Sequence, residues 1–186
     1  HRIHHDRGVD DLTACSFAAV GYDSGSRLVG LTAGHCVLAP GLPVTLIGSP
    51  AAGPVGRTVI GHWGPDYGVI ELDPEKVIPV ASTGGVTVTD IGPAAPGQPV
   101  CKSGAATSVT CGSVLEVRAD TDIVTATPTL WADSGGALVS GTTLVGIASH
   151  ADTVPVVGPT VYASASESLA RLNARGGVGA GFTPVR

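Results

Sequence analysis

Three short stretches of this 186-residue chain hold residue types suited to nucleophilic chemistry. They are Thr32-Ala33-Gly34-His35-Cys36, Pro65-Asp66-Tyr67-Gly68-Val69-Ile70 and Ala132-Asp133-Ser134-Gly135-Gly136-Ala137. A serine hydroxyl is a poor nucleophile at neutral pH. It needs a base to take its proton, and the base needs an acid to fix its tautomer and steady its charge. His35, Asp66 and Ser134 supply one of each. Such a set attacks a carbonyl carbon and passes through an acyl intermediate. Order along the chain narrows the scaffold. The α/β-hydrolase arrangement runs Ser, acid, His and the subtilisin arrangement runs Asp, His, Ser, whereas this chain runs His, Asp, Ser. The G-x-S-x-G elbow is also missing, because Ala132 stands where its first glycine belongs.

The elements that must position these residues read as strands. Charged residues make up 13% of the chain and hydrophobic ones 43%, which argues against disorder. Gly 27 and Pro 14, with recurrent Val and Thr, suit short strands joined by tight turns. Strand-type runs fall at 27–31, 43–48, 57–60 and 67–72, then at 100–103, 113–117, 123–127, 137–139 and 144–149. A Gly/Pro/Ala-rich passage at 90–99 separates the two groups as a linker. One helix is expected at 166–174, with Leu169 and Leu172 on one face, Arg171 and Arg175 near its end, and Gly176-Gly177 beyond. Residues 1–11, rich in His, Asp and Arg, read as a loose start, and His1, His4 and His5 as tail residues rather than metal ligands.

A formal charge of −5 with no basic cluster excludes a nucleic-acid surface. No apolar run reaches the ~20 residues of a membrane helix. The start at His1 and the lack of Met suggest a processed or trimmed product. Four cysteines fit two disulfides and an oxidising compartment, with three pairings open on counting alone. No C-x-x-C spacing points to zinc or thioredoxin-type chemistry.

At the three motifs the chain resembles the chymotrypsin family, in particular its bacterial secreted branch of streptogrisins and α-lytic protease. T-A-G-H-C matches the family's histidine motif, residues 65–70 are similar to the branch's aspartate segment, and Asp133-Ser134-Gly135-Gly136 matches the core of G-D-S-G-G. The resemblance runs from about Cys15 to the C-terminal helix. It implies an all-β fold of two six-stranded antiparallel barrels with a C-terminal helix. The parts would be 1–11 as a loose segment, 12–85 and 86–164 as the barrels, and 165–186 as helix and tail. It implies a secreted or cell-envelope serine endopeptidase, monomeric, acting on peptides or proteins without metal or cofactor. Catalysis would fall to His35, Asp66 and Ser134, the oxyanion hole to the N–H groups of Ala132 and Ser134, and support of Asp66 to Ser149. By the same resemblance Cys15 pairs with Cys36 and Cys101 with Cys111. Asp133 pairs with Lys102, where relatives carry Arg and grip more firmly. Pro128, Ser149, His150 and Ala151 would sit at the specificity pocket; the position a few residues before Ser134 falls near Pro128 and Thr129, which are uncharged and do not support Arg/Lys preference. His62 and Trp63 read as loop packing, and Trp131 as lining the cleft or packing beneath it.

The chain departs from the family at Ala132, normally glycine. Alanine keeps the N–H donor, but its Cβ penalises a positive φ and would tend to turn the peptide away from the site. Loss of one such donor costs about 2.7–4 kcal/mol of transition-state stabilisation. Two alternatives follow: a weak or inactive relative that binds peptides, and an esterase built on the same three residues.

Overall fold

The computed structural model describes residues 2–5, 13–119, 121–151 and 158–186. Seven strands come first: β1 (Arg2–His5), β2 (Thr13–Ser16), β3 (Ala19–Tyr22), β4 (Leu28–Thr32), β5 (Pro43–Leu46), β6 (Pro54–Trp63) and β7 (Asp66–Leu72). A small hairpin, β8 (Ser82–Thr83) and β9 (Val86–Thr87), lies in the passage between the halves. The second half holds β10 (Asp90–Ile91), β11 (Pro99–Gly104), β12 (Ser108–Arg118), β13 (Asp122–Thr125), β14 (Ala137–Ser140), β15 (Thr143–Ala151) and β16 (Thr160–Ser164). Helix α1 (Ala165–Arg175) and β17 (Thr183–Pro184) follow.

In the second half the order is β15-β14-β11-β12-β13-β16, and β16 returns to pair with β15. Those pairings are antiparallel and close six strands into a barrel, while β10 adds to β15 in parallel. The period-two alternation explains its interior. On β16, Tyr162 points into the barrel with Ile123, Leu138 and Val145, whereas Ala163 faces the larger core. Each such fully buried aliphatic contributes about 1.5–3 kcal/mol.

The first half differs from a six-stranded expectation. Strands β2–β7 are present, but the sheet has eight members in the order β17-β3-β4-β7-β6-β5-β1-β2. Among the described residues its end strands β2 and β17 do not pair with each other. The two additions come from segments read as tails. Residues 2–5, expected in a loose start, pair with both β2 and β5, and residues 183–184 add to β3. A polar composition hid the first, because main-chain pairing on both edges asks little of side-chain type. The second is only two residues long and contains Pro184, which suits an edge strand. His1 and residues 6–12 of the expected loose segment lie outside the described residues.

One apolar core runs through both halves, joining Val29, Val69 and Ile70 of the first sheet to Ala137, Leu144 and Ile147 of the second. Helix α1 packs on β15 and β16, and its Leu172 is buried in that shared core. The helix runs one residue beyond the expected span at each end. Ser164 caps it by accepting the Glu167 N–H, a contact type worth about 1 kcal/mol, and Gly176 at φ 73° ends it. No helix among the described residues is long and apolar enough to cross a membrane.

Candidate functional site

His35 sits in a short 3-10 turn, Gly34–Cys36, directly after β4. Gly34 is required there, since a Cβ would run into the His62 carbonyl oxygen of β6. The Cys15–Cys36 disulfide ties the turn to β2. Asp66 opens β7 after the two-residue turn Gly64-Pro65 and pairs with Trp63 across the hairpin. This brings Asp66 under His35. Its Oδ1 accepts the His35 backbone N–H at 2.9 Å, and its Oδ2 lies 2.7 Å from His35 Nδ1.

The same Oδ2 accepts the Ser149 hydroxyl at 2.6 Å. Strand β15 carries a bulge between Ala148 and His150, and bulges re-aim side chains beside functional sites. Here Ser149 and His150 both reach the same cleft. Burial pushes the Asp66 carboxyl up, but the bonds from His35 and Ser149 outweigh it and hold it below the ordinary aspartate range. An ionised carboxylate only accepts hydrogen bonds, so Nδ1 of His35 carries a proton and its Nε2 is left as an acceptor. The logic extends one residue further. Ser149 spends its single proton on Asp66, so its 3.0 Å contact with His150 Nδ1 is donated by the histidine. Both rings are thus oriented through one carboxylate oxygen.

Ser134 follows a tight turn. The Asp133 N–H donates to the Leu130 carbonyl at 3.1 Å, and Ala132 has φ 74°. That combination is a type II turn, which needs a positive φ at its third residue and so favours glycine there. Alanine holds the conformation nonetheless, because the turn is clamped from two sides. Ser16 donates its hydroxyl to the Ala132 carbonyl at 2.9 Å and its N–H to the Ser134 carbonyl at 2.7 Å. Asp133, 1% exposed, accepts five hydrogen bonds: from Lys102 Nζ, the Thr107 hydroxyl, and the N–H groups of Ala106, Thr107 and Leu130. Lys102 Nζ lies 2.8 Å from Asp133 Oδ2, with its side chain wholly buried, and also donates to Thr107 Oγ1. Thr107 supplies a hydroxyl and an N–H besides the lysine, so the support is not the loose one expected of Lys in place of Arg. Gly104 leaves space for the carboxylate, which a Cβ at that position would meet. The Cys101–Cys111 disulfide crosses β11 and β12 and braces the strand that carries Lys102.

His35, Ala132 and Ser134 line one cleft of about 700 Å³. The N–H groups of Ala132 and Ser134 donate to no described residue. Among the described residues no hydrogen bond joins Ser134 to His35 in this unliganded state, a separation common before substrate tightens such sites. Ser149, His150 and Ala151 line the cleft as expected of them. Pro128 does not, and its carbonyl instead accepts the Thr110 hydroxyl at 2.9 Å. Thr129, expected beside it, is in the lining, and so is Thr160, which sequence reasoning did not name. His62 does pack, stacked on Tyr67 with ring centroids 5.1 Å apart. Trp63 departs from the packing expected of it. It is 76% exposed, with its ring 6.3 Å from that of His35, and Trp131 is 86% exposed in the cleft lining.

Sequence reasoning missed Ser16 and Thr107. Ser16 carried one signal, its place after a cysteine bonded to the neighbour of His35. Thr107 carried none, since it acts through a loop whose partner is 26 positions away.

No protein-family description matches the chain, and no curated protein does. Solved structures do match. Protease A of Thermobifida fusca superposes with a TM-score of 0.76 at 23% identity, over 100% of this chain and 97% of that one. A glutamic-acid-specific serine protease described as using a histidine triad in substrate binding gives 0.76 at 22%, over 99% and 97%. Nocardiopsis protease gives 0.69 at 22%, over 91% and 94%. With these bacterial proteases the chain shares the trypsin-like fold.

Proposed function

We propose that the chain is a secreted serine endopeptidase in which Ser134 attacks the scissile carbonyl of a peptide. His35 takes the hydroxyl proton on Nε2 and returns it to the leaving amine. Asp66, with Ser149 behind it, keeps the ring in that tautomer and steadies its charge. The N–H groups of Ala132 and Ser134 receive the oxyanion. Water then hydrolyses the acyl-enzyme by the reverse sequence. No step calls on a metal or cofactor.

One observation carries the reading: a histidine fixed by a buried carboxylate shares a cleft with a serine flanked by two unengaged N–H groups. The positive φ of Ala132 supports it further, since the turn sits in the form a glycine would take. Two disulfides support an oxidising, extracellular or envelope location. The proteases it superposes on act on peptides. The glutamate specificity of one of them is not carried over, because His35 and His150 are the two histidines among the described cleft residues.

A fluorophosphonate that phosphonylates serine nucleophiles tests this, read by mass on the intact protein and on Ser134→Ala. One adduct on the native chain, none on the variant, and casein cleavage lost with it are expected. Cleavage of esters but not peptides would make the protein an esterase. No adduct at all would leave a peptide-binding protein in place of an enzyme.

A further inference from the structure

The cleft that Ser134 lines also holds Thr129 and Thr160, which at 8% and 2% exposure form the buried floor of its lining. Their hydroxyls are paired at 2.9 Å. Thr160 donates its proton to the Thr127 carbonyl at 2.7 Å. A threonine hydroxyl has one proton, so Thr129 must be the donor in the pair. Both floor protons are therefore spent. What the floor offers a side chain is two methyl groups and hydroxyl lone pairs. Thr125, Thr127 and Tyr162, wholly buried, bond among themselves through their hydroxyls.

Among the described residues the nearby charges are equally committed. Asp133, 1% exposed, is occupied by five donors. Asp66 is held by His35 and Ser149. Lys102 is sealed against Asp133. His150, on the exposed rim, has engaged Nδ1 with Ser149. Among the described residues, a carboxylate entering the recess finds no uncommitted donor on the floor, and an ammonium or guanidinium finds no uncommitted anion.

From this we infer that the recess selects uncharged side chains, aliphatic or hydroxyl-bearing, for the residue whose carbonyl Ser134 attacks. The inference rests on the proposed peptidase reading and names its substrate class. A hydroxyl fits because it can donate to the floor's lone pairs. An unpaired charge is disfavoured because desolvation is uncompensated.

Two measurements separate the recess from the chemistry. In the first, the native chain is given peptides identical but for the residue before the scissile bond, set to Ala, Val, Thr, Asp, Glu, Lys or Arg. The uncharged members are expected to be cleaved with kcat/KM about 100-fold above the charged ones. In the second, Ser134→Ala is titrated with tetrapeptide acids ending in the same residues. Both tryptophans of the chain border the site, so intrinsic fluorescence reads the binding. The same ranking is expected. If the native chain cleaves nothing but the variant binds in this order, the peptidase reading fails and the recess assignment holds. A charged residue that matches or exceeds the uncharged ones in either assay, or an absence of any ranking in the binding series, overturns the assignment.

Discussion

At Ala132 a single methyl group bears on the proposed oxyanion turn. A non-glycine residue at positive φ costs about 1–2 kcal/mol, and here Ser16 and Asp133 hold the turn against that cost. Ala132→Gly removes the strain, at some cost in unfolded-chain entropy of about 0.5–1 kcal/mol. The expected result is a higher kcat with KM nearly unchanged and stability raised by under about 1 kcal/mol. Steady-state kinetics and denaturant titration check it, and an unchanged or lower kcat would show that the turn is already fully settled. His150 gives a second test. As donor to Ser149 it orients the hydroxyl that holds Asp66. His150→Ala is expected to lower kcat about 2–5-fold, the worth of one exposed hydrogen bond. His150→Asn, whose amide can donate from a similar place, restores it. Equal loss in both variants would assign the effect to the ring and not to the donor.

At the scale of the element, the loop between β11 and β12 and the turn before Ser134 form one unit through a buried ion pair. Breaking such a pair by removing one partner costs about 3–5 kcal/mol, because the other charge is left stranded. Lys102→Met should therefore lower the denaturation midpoint strongly and reduce kcat, since Asp133 no longer anchors the turn. Near-native stability would mean that Thr107 and the loop N–H groups suffice. Here the sequence was informative to a point. His35, Asp66 and Ser134 stood in local motifs, and Lys102 followed Cys101 at a readable position. The clamps by Ser16 and Thr107 join residues far apart in the chain and use serine and threonine, types that occur everywhere on surfaces. The strands in residues 27–72 and 100–149 were legible from β-branched runs between turn residues. The strand at residues 2–5 was not, since its place depends on partners on both edges. Pro128 was misplaced, while its neighbour Thr129 was not, because counting back from Ser134 cannot tell which residues of the irregular segment after β13 turn toward the cleft.

The whole molecule carries a common acid sensitivity. The carboxyls of Asp23, Asp66 and Asp133 are all held below the ordinary aspartate range. In each, burial raises the pKa and hydrogen bonds more than reverse it. A carboxyl with a lowered folded pKa gives stability that is fully present above its unfolded value and is lost as pH falls through the folded one. Stability is thus expected to hold from neutral pH down to about 4 and to decline steeply below it. Denaturant midpoints across that range test this, and a flat profile to pH 2 would show that these carboxyls keep their ordinary values. Asp23 also links distant parts: it accepts N–H groups of Gly25 and Arg27 in the β3–β4 turn and of Gly179 near the C-terminal end, and pairs with Arg27. Phe182, 3% exposed, packs into the shared core beside that crossing.

That crossing sets a timetable for the polypeptide as it is made. Strand β3 emerges early, yet its outer edge waits for residues 183–184, and Asp23 waits for Gly179. Until those residues have appeared, the half that bears His35 and Asp66 lacks its last strand. The half that bears Ser134 is at that stage still being extended. Contacts so distant along the chain slow folding. Under the proposed reading as an exported peptidase, the cleft would be completed only after nearly all of these residues had been delivered, so the synthesising compartment would be spared the finished site.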